Sequence, residues 1–319
     1  MKYTESQISK ISKDLQNKIK GKVLSDPFSR GRYSTDSSLY QITPLGAVLP
    51  KDQNDVLNLM EYSQKNAIPL LARGGGSSQC GQTVSEAIVL DYSKHQNKVL
   101  ELNVEEKYVW VQPGVVLDSL NKFLQPYGLW FPVDVSTSSR ATIGGMTGNN
   151  SCGSRSLYYG NMVNNVLAVE AILDDGSIHT FEDIDKNYLQ VTNDQNRQYE
   201  IIKNFLQIKE ETKNDIDQYW PQTQRRVGGY NIDLINADGF NTSNILVGSE
   251  GTLSLFNMGR EIGDTDLQVQ RVGDTDPQWE GVGDTDPQRG RETVETQTQE
   301  TPTRARPETT IRMLTQWKG

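Results

Sequence analysis

Three consecutive glycines directly after an apolar segment restrict the fold of this chain more than any other feature. Residues 69–72 have the length and composition of a short buried strand, and Arg73-Gly74-Gly75-Gly76-Ser77-Ser78 follows at once. Glycine leaves its backbone N–H unshielded and adopts positive φ freely, so such a loop can surround an anion. The loop has neither the Gly-Lys-Ser/Thr of a triphosphate-binding loop nor the Gly-x-Gly-x-x-Gly of a Rossmann turn. On its own, the pattern also fits an ordinary tight turn.

Helix and strand patterns alternate around this loop and predict an α+β fold. Asp52 is placed to cap a helix, and Asp174-Asp175-Gly176 predicts a hairpin turn. The helix patterns cover residues 6–22, 52–66, 117–124 and 200–218. The strand patterns cover residues 47–49, 69–72, 87–91, 99–103, 108–112, 166–173 and 177–181, and a last patterned segment covers 244–256.

Further glycine-rich segments accompany the first one. They are Gln112-Pro113-Gly114-Val115, Thr142-Ile143-Gly144-Gly145-Met146 and Val247-Gly248-Ser249-Glu250-Gly251-Thr252-Leu253. Uncharged polar loops with glycine and few lysines suit a large neutral ring system joined to a pyrophosphate, held mostly by backbone groups.

Taken in order, these motifs resemble the FAD-linked oxidases with a PCMH-type FAD-binding domain. Two further motifs belong to the pattern, Pro132-x-Asp134-x-Ser136-Thr137 and Gly148-Asn149-Asn150-x-Cys152-Gly153. The nearest branch is that of the D-2-hydroxyacid dehydrogenases, which includes D-lactate dehydrogenase, the glycolate oxidase FAD subunit and D-2-hydroxyglutarate dehydrogenase. The resemblance covers residues 40–256 and implies two α/β subdomains with FAD between them. Residues 1–39 would precede this domain as a helical extension.

The resemblance also implies which residues contact FAD. Arg73, Gly74, Gly75, Gly76, Ser77, Ser78, Gly81 and Gln82 would surround the pyrophosphate, Pro113 and Gly114 the adenine, and Glu250 and Gly251 the adenosine end. Pro132, Asp134 and Ser138 would lie near the flavin and ribityl chain, and Thr142, Gly144, Gly145 and Asn149 near the pyrophosphate and isoalloxazine. Ser156, Tyr159, Gly160 and Val163 would complete the wall. Pro113, Gly160 and Gly251 fit a simple turn equally well.

Some relatives attach FAD to a histidine in the first glycine loop. Ser77 and Ser78 stand there in this chain, and its two histidines, His95 and His179, lie in strand-and-turn segments. We therefore expect non-covalent FAD. Cys152 is expected to be a small packed residue rather than a redox thiol.

Residues 257–319 differ sharply from the rest of the chain. Gly-Asp-Thr-Asp occurs at 263–266, 273–276 and 283–286, and apolar residues are scarce. This composition predicts a disordered C-terminal tail, with a calcium-binding repeat as the alternative. The substrate domain that the resemblance implies after residue 256 is missing, so the sequence predicts a truncated member with no identified catalytic residue and no metal site.

Charge and composition restrict the function further. A net charge of −9 argues against a nucleic-acid partner, and the sequence contains no secretory signal and no apolar membrane span. With only Cys80 and Cys152, a reducing, cytoplasmic location is expected.

The leading hypothesis is an FAD-dependent oxidoreductase that takes a hydride from a 2-hydroxyacid. Its partners would be that small-molecule substrate and an electron acceptor or iron–sulfur protein. A non-catalytic FAD-binding fragment or subunit is the alternative, and an NADPH-requiring enzyme of the cell-wall reductase kind is a third.

Overall fold

The computed structural model describes residues 3–191, 196–223, 225–236, 239–256, 311–314 and 316–317. All of them belong to one compact unit, residues 1–260 with 308–319. The Gly-Asp-Thr-Asp repeats lie outside the described residues, and so does the predicted disorder of residues 257–310.

Helices and strands alternate along most of the described chain. The helices are α1 (Glu5–Gln16), α2 (Pro27–Arg32), α3 (Gln53–Asn66), α4 (Leu117–Leu124), α5 (Ile143–Gly148), α6 (Ser156–Tyr159), α7 (Met162–Asn165), α8 (Tyr188–Val191), α9 (Arg197–Glu211), α10 (Lys213–Tyr219) and α11 (Ser243–Leu246). The strands are β1 (Lys22–Leu24), β2 (Gly46–Leu49), β3 (Leu70–Arg73), β4 (Ile88–Asp91), β5 (Val99–Asn103), β6 (Tyr108–Val111), β7 (Leu129–Trp130), β8 (Val166–Ile172), β9 (Ile178–Phe181), β10 (Asp183–Asp185), β11 (Gly239–Asn241), β12 (Leu255–Phe256), β13 (Ile311–Leu314) and β14 (Gln316–Trp317). Mixed helices and sheets confirm the predicted α+β class.

The first region of the fold, residues 3–92, is a four-stranded sheet in the order β1-β2-β4-β3 with α1 and α3 packed on it. Strands β2 and β3 both run parallel to β4, and α3 makes the crossover from β2 to β3 on the other side of β4. Asp52 caps α3 as predicted, because its side chain accepts the N–H of Asp55 at 3.1 Å. Ile8 and Leu15 of α1 pack with Leu59 of α3 in the core.

The N-terminal residues differ from the predicted extension. Strand β1 pairs antiparallel with β2, so residues 1–39 contribute a strand to the first sheet rather than preceding the domain. Helix α1 also ends at Gln16, before the predicted Lys22. The chain then packs closely on β2 at Gly21, where a Cβ would lie 2.1 Å from the backbone oxygen of Leu49.

The second region is a six-stranded antiparallel sheet formed by β5, β6, β8, β9, β12 and β13. The hairpins β5–β6 and β8–β9 are present as predicted. Leu117, Leu120 and Leu124 of α4 line one face of the helix and are buried in the core with Phe131 and Phe181. Their three- and four-residue spacing is that of a core-facing helix.

Strand β13 lies within the segment that was predicted to be a disordered tail. Residues 311–314 pair with both β6 and β8, and the Met313 side chain is fully buried. Strand β14 pairs with β7. The average composition of residues 257–319 conceals this short segment, and its pairing partners are distant in the sequence.

The predicted helix at 200–218 is two helices, α9 and α10. They are separated at Thr212, whose hydroxyl donates to the backbone oxygen of Ile208 at 2.7 Å. Hydroxyl side chains that bond to the preceding turn commonly bend or end helices. The two-stranded ribbon of β10 and β11 was not predicted.

Candidate cofactor site

The first glycine loop leaves β3 with a row of available N–H groups. Within the described part of the chain, the backbone N–H groups of residues 74–78 have no hydrogen-bond acceptor. Most of these residues are only partly buried, and Gly76 has a φ of +64°. Adjacent unpaired N–H groups in a glycine loop form a concave site for an anion.

Arg73, at the start of this loop, points its guanidinium at backbone oxygens rather than at the row of N–H groups. It donates to Thr35 O at 2.8 Å, to Thr83 O at 3.0 Å and to Tyr33 O at 3.4 Å. Burial lowers the pKa of Arg73 from its usual value, and the nearby carboxylates partly oppose that shift. The side chain therefore holds the loop against the segment before β2.

The second glycine segment packs directly on the first. A Cβ on Gly74 would lie 2.0 Å from Thr142 Oγ1, and a Cβ on Gly75 would lie 2.1 Å from the backbone oxygen of Arg140. Thr142 also caps α5, because its side chain accepts the N–H of Gly145 at 3.3 Å. Only glycine fits at positions 74 and 75 without displacing the second segment.

The other two glycine segments meet the same place. The N–H of Gly144 donates to Pro113 O at 2.8 Å. Gln82 Nε2 donates to Glu250 Oε1 at 3.2 Å, and the N–H of Glu250 donates to Gly148 O at 2.9 Å. The four glycine-rich segments are therefore brought together, although up to 168 residues separate their members in the sequence.

Asp134 organises the loop that follows α5. One carboxylate oxygen accepts the hydroxyl of Ser154 at 2.7 Å, and the other accepts the N–H of Arg155 at 3.0 Å. A Cβ on Gly153 would lie 1.7 Å from the backbone oxygen of Asp134. The N–H of Gly153 donates to Ser156 Oγ at 3.0 Å. Asp134 and Ser156 thus lie in one cluster, joined through Gly153, Ser154 and Arg155.

An aromatic group continues this cluster. The Tyr159 ring meets Trp130 edge to face at 5.3 Å between centroids, and the Arg155 guanidinium lies 4.7 Å from the Trp130 ring centre. Gly160 has a φ of +76°, which favours glycine. Val163 joins the group to the glycine segments, because its N–H donates to Asn150 Oδ1 at 3.0 Å.

The remaining predicted residues have more local surroundings. Ser138 lies beside the first turn of α4, where its backbone oxygen accepts the N–H of Asp118 at 3.2 Å. Ser78 Oγ hydrogen bonds with Gln82, and Asn149 Nδ2 donates to Ser151 Oγ at 2.9 Å. Gly81 and Gly251 have φ of +81° and +79°, and a Cβ on Gly81 would lie 2.6 Å from the Tyr40 ring. Pro132 is buried after β7.

The central part of the chain is similar to known FAD-binding proteins. The family model described as FAD binding domain matches residues 44–182. Those residues are an FAD binding domain. The chain is 37% identical to a D-2-hydroxyglutarate dehydrogenase of Haemophilus influenzae over 260 residues, which cover 76% of this chain and 24% of the relative. It is 31% identical to the glycolate oxidase subunit GlcD of Bacillus subtilis over 175 residues, 53% of this chain and 37% of that one.

The likeness to solved structures supports the same fold. An alkyldihydroxyacetonephosphate synthase superposes on 78% of this chain and 39% of its own with a TM-score of 0.54, at 20% identity. The chain spans about a quarter of the length of the D-2-hydroxyglutarate dehydrogenase that it matches. The resemblance inferred from the motifs is therefore confirmed at the level of the FAD binding domain.

Two buried asparagines form side-chain links that the sequence analysis missed. Asn150 is fully buried with a φ of +48°, and its amide nitrogen lies 3.5 Å from Asn231 Oδ1. Asn231, also buried, donates to Val247 O at 2.7 Å. The pair joins the end of α5 to the last glycine segment. Adjacent asparagines after Gly148 were the available signal for Asn150, because asparagine tolerates positive φ.

The described residues contain neither a cluster of metal-binding side chains nor a membrane-spanning helix. Among them, no group of three or more His, Cys, Asp or Glu side chains is placed to hold a metal ion. No helix in the described ranges combines the length and the apolar character needed to cross a membrane. Both cysteines, Cys80 and Cys152, are free thiols.

Proposed function

We propose that this chain binds FAD non-covalently and forms the flavin-holding part of an oxidoreductase that acts on D-2-hydroxyacids. The observation that carries the proposal is the convergence of the four glycine segments around the unpaired N–H groups of residues 74–78. A pyrophosphate needs several donors and no side-chain volume at this place. The names of the relatives, a D-2-hydroxyglutarate dehydrogenase and a glycolate oxidase subunit, support the substrate class.

The residues of the first loop would bind the FAD pyrophosphate through their backbone N–H groups. Ser77 and Ser78 add hydroxyls, and Gly74 and Gly75 keep Thr142 and the second segment in contact with the loop. Arg73 donates hydrogen bonds to the backbone oxygens of Thr35 and Thr83, and these bonds would fix the shape of the loop. We assign Gly81 and Gln82 to the same end of the site.

The other predicted residues would shape the rest of the cofactor site. Pro113 and Gly114 would lie at the adenine, and Glu250 with Gly251 would close the adenosine end; Gln82 already contacts Glu250. The wall beside the flavin would consist of Pro132, Asp134, Ser138, Thr142, Gly144, Gly145, Asn149, Ser156, Tyr159, Gly160 and Val163.

Bound FAD would supply the hydride acceptor for oxidation of a hydroxyl-bearing carbon. The chain's own residues would hold the cofactor, orient its ring and keep water from one face. We assign no proton-removing residue, because the chain spans about a quarter of the matched length in the D-2-hydroxyglutarate dehydrogenase. An electron acceptor or iron–sulfur partner and a cytoplasmic location complete the proposal.

A second candidate is an FAD-binding subunit that does not itself oxidise a substrate. The relative from Bacillus subtilis is named as a subunit, which supports a division of labour between chains. This candidate predicts bound flavin whose spectrum no 2-hydroxyacid changes.

The test is an absorption spectrum of the purified chain, recorded before and after anaerobic addition of D-2-hydroxyglutarate, D-lactate or glycolate. Flavin bands that bleach with one acid establish the dehydrogenase, and bands that never bleach support the subunit. Flavin that stays in solution after acid precipitation of the protein establishes non-covalent binding. A folded chain that takes up no added FAD would contradict the proposal.

A matched pair of glycine substitutions locates the cofactor. In Gly75→Ala the new Cβ would lie 2.1 Å from the Arg140 backbone oxygen, so the two glycine segments must separate. We expect FAD to dissociate at least about tenfold more readily, a loss of ~1.4 kcal/mol. Gly31→Ala, in α2, is the control because no atom lies within 4 Å of the new Cβ. Equal FAD affinity in both variants would show that the first loop does not take part in FAD binding.

A further inference from the structure

Strands β12 and β13 lie one after the other along the same edge of β8. Phe256 pairs with Ala171 and Ile311 pairs with Val169, both in antiparallel register. The opposite edge of β8 is taken by β9, where Val169 pairs with Phe181. A single residue opposite Glu170 would therefore be enough to join β12 to β13. The chain has residues 257–310 between them instead.

We propose that β12 and β13 are the two halves of one strand, and that the space between β6 and β8 is a strand-binding site filled by residues 311–314 of this chain. Residues 257–310 interrupt that strand in the sequence without interrupting its register on β8. The site recognises its occupant as sheets recognise an added strand, through main-chain hydrogen bonds and a pocket for alternate side chains.

The contacts of β13 on both sides define the site. Met313 pairs with Val109 of β6 and with Val166 of β8, and all three side chains are buried in the main core. Without β13, both β6 and β8 would expose an unpaired edge in the middle of the sheet, which is unfavourable and promotes association. Residues 311–314 are therefore a structural requirement of the second region.

Occupancy of this site should also control the cofactor site. Strand β6 continues directly into Gln112 and Pro113, and Pro113 receives the N–H of Gly144 at 2.8 Å. Strand β8 begins directly after α7, whose Val163 is tied to Asn150. Strand β13 lies between β6 and β8 and pairs with both. It would therefore fix the position of the adenine end of the cofactor site relative to the wall beside the flavin.

The experiment uses the full chain with the recognition sequence of a specific protease inserted between Glu280 and Gly281. After cutting, size-exclusion chromatography with mass spectrometry shows whether the piece that contains residues 311–314 stays with the body. We expect it to co-elute, and we expect FAD affinity to remain within about twofold of the uncut chain. Separation of the piece under native conditions would overturn the proposal.

Exchange with a synthetic peptide tests the site without altering the body of the protein. An isotope-labelled peptide of residues 308–319 should replace the cut piece when added in excess. The same peptide with Met313→Leu should also exchange, because that swap conserves apolar volume. A Met313→Lys peptide should not, because it would bury an unpaired charge. Equal exchange of all three peptides would contradict a specific site.

These readouts do not depend on the proposed function. Co-elution and peptide exchange are measured without flavin, so they test the strand site even if the chain binds no FAD. In the chain that carries Met313→Lys, FAD affinity should fall by at least about tenfold relative to Met313→Leu. If the two variants bind FAD equally, β13 does not control the cofactor site.

Discussion

The two sheets are assembled from segments at very different distances along the chain. Strands β1 to β4 all lie within residues 22–91, and each is joined to its sheet neighbours through nearby segments. The second sheet begins with β5 at Val99 and is complete only when β13 at Leu314 is in place. Pairing distant segments costs loop-closure entropy before contacts repay it. We therefore expect the first region to form earlier and the second to depend on more distant contacts.

A buried polar side chain ties loops together in each region, and the two side chains differ in chemistry. In the first, the Asp55 carboxylate accepts the N–H groups of Lys20 at 2.6 Å, Gly21 at 2.8 Å and Lys51 at 2.8 Å. In the second region, the neutral amide of Asn231 contacts Asn150, 81 residues away, and donates to Val247 O. An ionised acceptor forms stronger hydrogen bonds than a neutral amide.

The largest effect is expected from Asp55→Ala. It leaves three backbone N–H groups without their acceptor in a place where Asp55 itself is 1% exposed. The Gly21 N–H is buried and the other two bonds are partly buried. Since a buried unsatisfied donor costs about 1–3 kcal/mol, the free energy of unfolding should fall by roughly 2–4 kcal/mol. Urea unfolding followed by circular dichroism measures it.

Asp52→Ala is the matched control for that substitution. Asp52 caps the same helix, and its carboxylate also pairs with the exposed Lys20 ammonium at 2.7 Å. Loss of a cap costs about 1 kcal/mol, and the exposed ion pair adds little. If the two variants lose equal stability, Asp55 does not anchor the first region.

A smaller effect is expected from Asn231→Ala in the second region. The substitution removes the donor to Val247 O and the partner of Asn150, so the free energy of unfolding should fall by about 1–2 kcal/mol. FAD affinity should fall as well, because the last glycine segment loses its tie to α5. Chemical unfolding and FAD titration measure the two losses.

Asn58→Ala provides the control for the amide. Asn58 Nδ2 donates to Lys18 O at 2.9 Å in an exposed position of the first region. Exposed substitutions of this kind usually change stability by less than about 0.5 kcal/mol, and FAD affinity should not change. If the free energy of unfolding falls more in Asn231→Ala than in Asp55→Ala, the second region depends more on its buried polar side chain than the first region does.

The difference between the regions also explains what the sequence could predict. Helix α3 with its Asp52 cap and the two hairpins depend on residues close together in the chain, and their patterns identified them. Strand β13 depends on partners about 140–200 residues away. Periodicity within a window carries no information about such partners.

The same reasoning applies to the candidate site. The glycine segments were predicted individually because runs of glycine are visible in the sequence, although the residue that requires glycine at position 74, Thr142, is distant in the chain. Two other features were not predicted: the contact of Asn150 with Asn231, and the backbone oxygens that Arg73 binds. The sequence does not reveal which distant group a polar side chain contacts.

The smallest effect concerns pH and compares one carboxylate from each region. Burial alone would raise the pKa of Asp36, but hydrogen bonds from Ser38 and Thr83 outweigh it and hold the pKa below the ordinary value of 3.8. A folded pKa below the unfolded one stabilises the fold above about pH 4, and this contribution is lost as the pH falls through the lowered pKa. Asp36→Asn should therefore reduce stability near pH 7 and cease to matter in strong acid.

Asp175→Asn is the counterpart in the second region. Hydrogen bonds from Ser177, two residues along the hairpin turn, lower the pKa of Asp175 as well. A contact between residues this close in the sequence can also form in the unfolded chain. This reduces the difference in the pKa of Asp175 between the folded and unfolded states. The bond from Thr83 to Asp36 spans 47 residues and cannot form there as readily. Urea unfolding from about pH 2.5 to 7 should therefore show a stronger pH dependence of the stability loss in Asp36→Asn than in Asp175→Asn. An equal dependence in both variants would place the stabilisation in local turns rather than in the contact of Asp36 with Thr83.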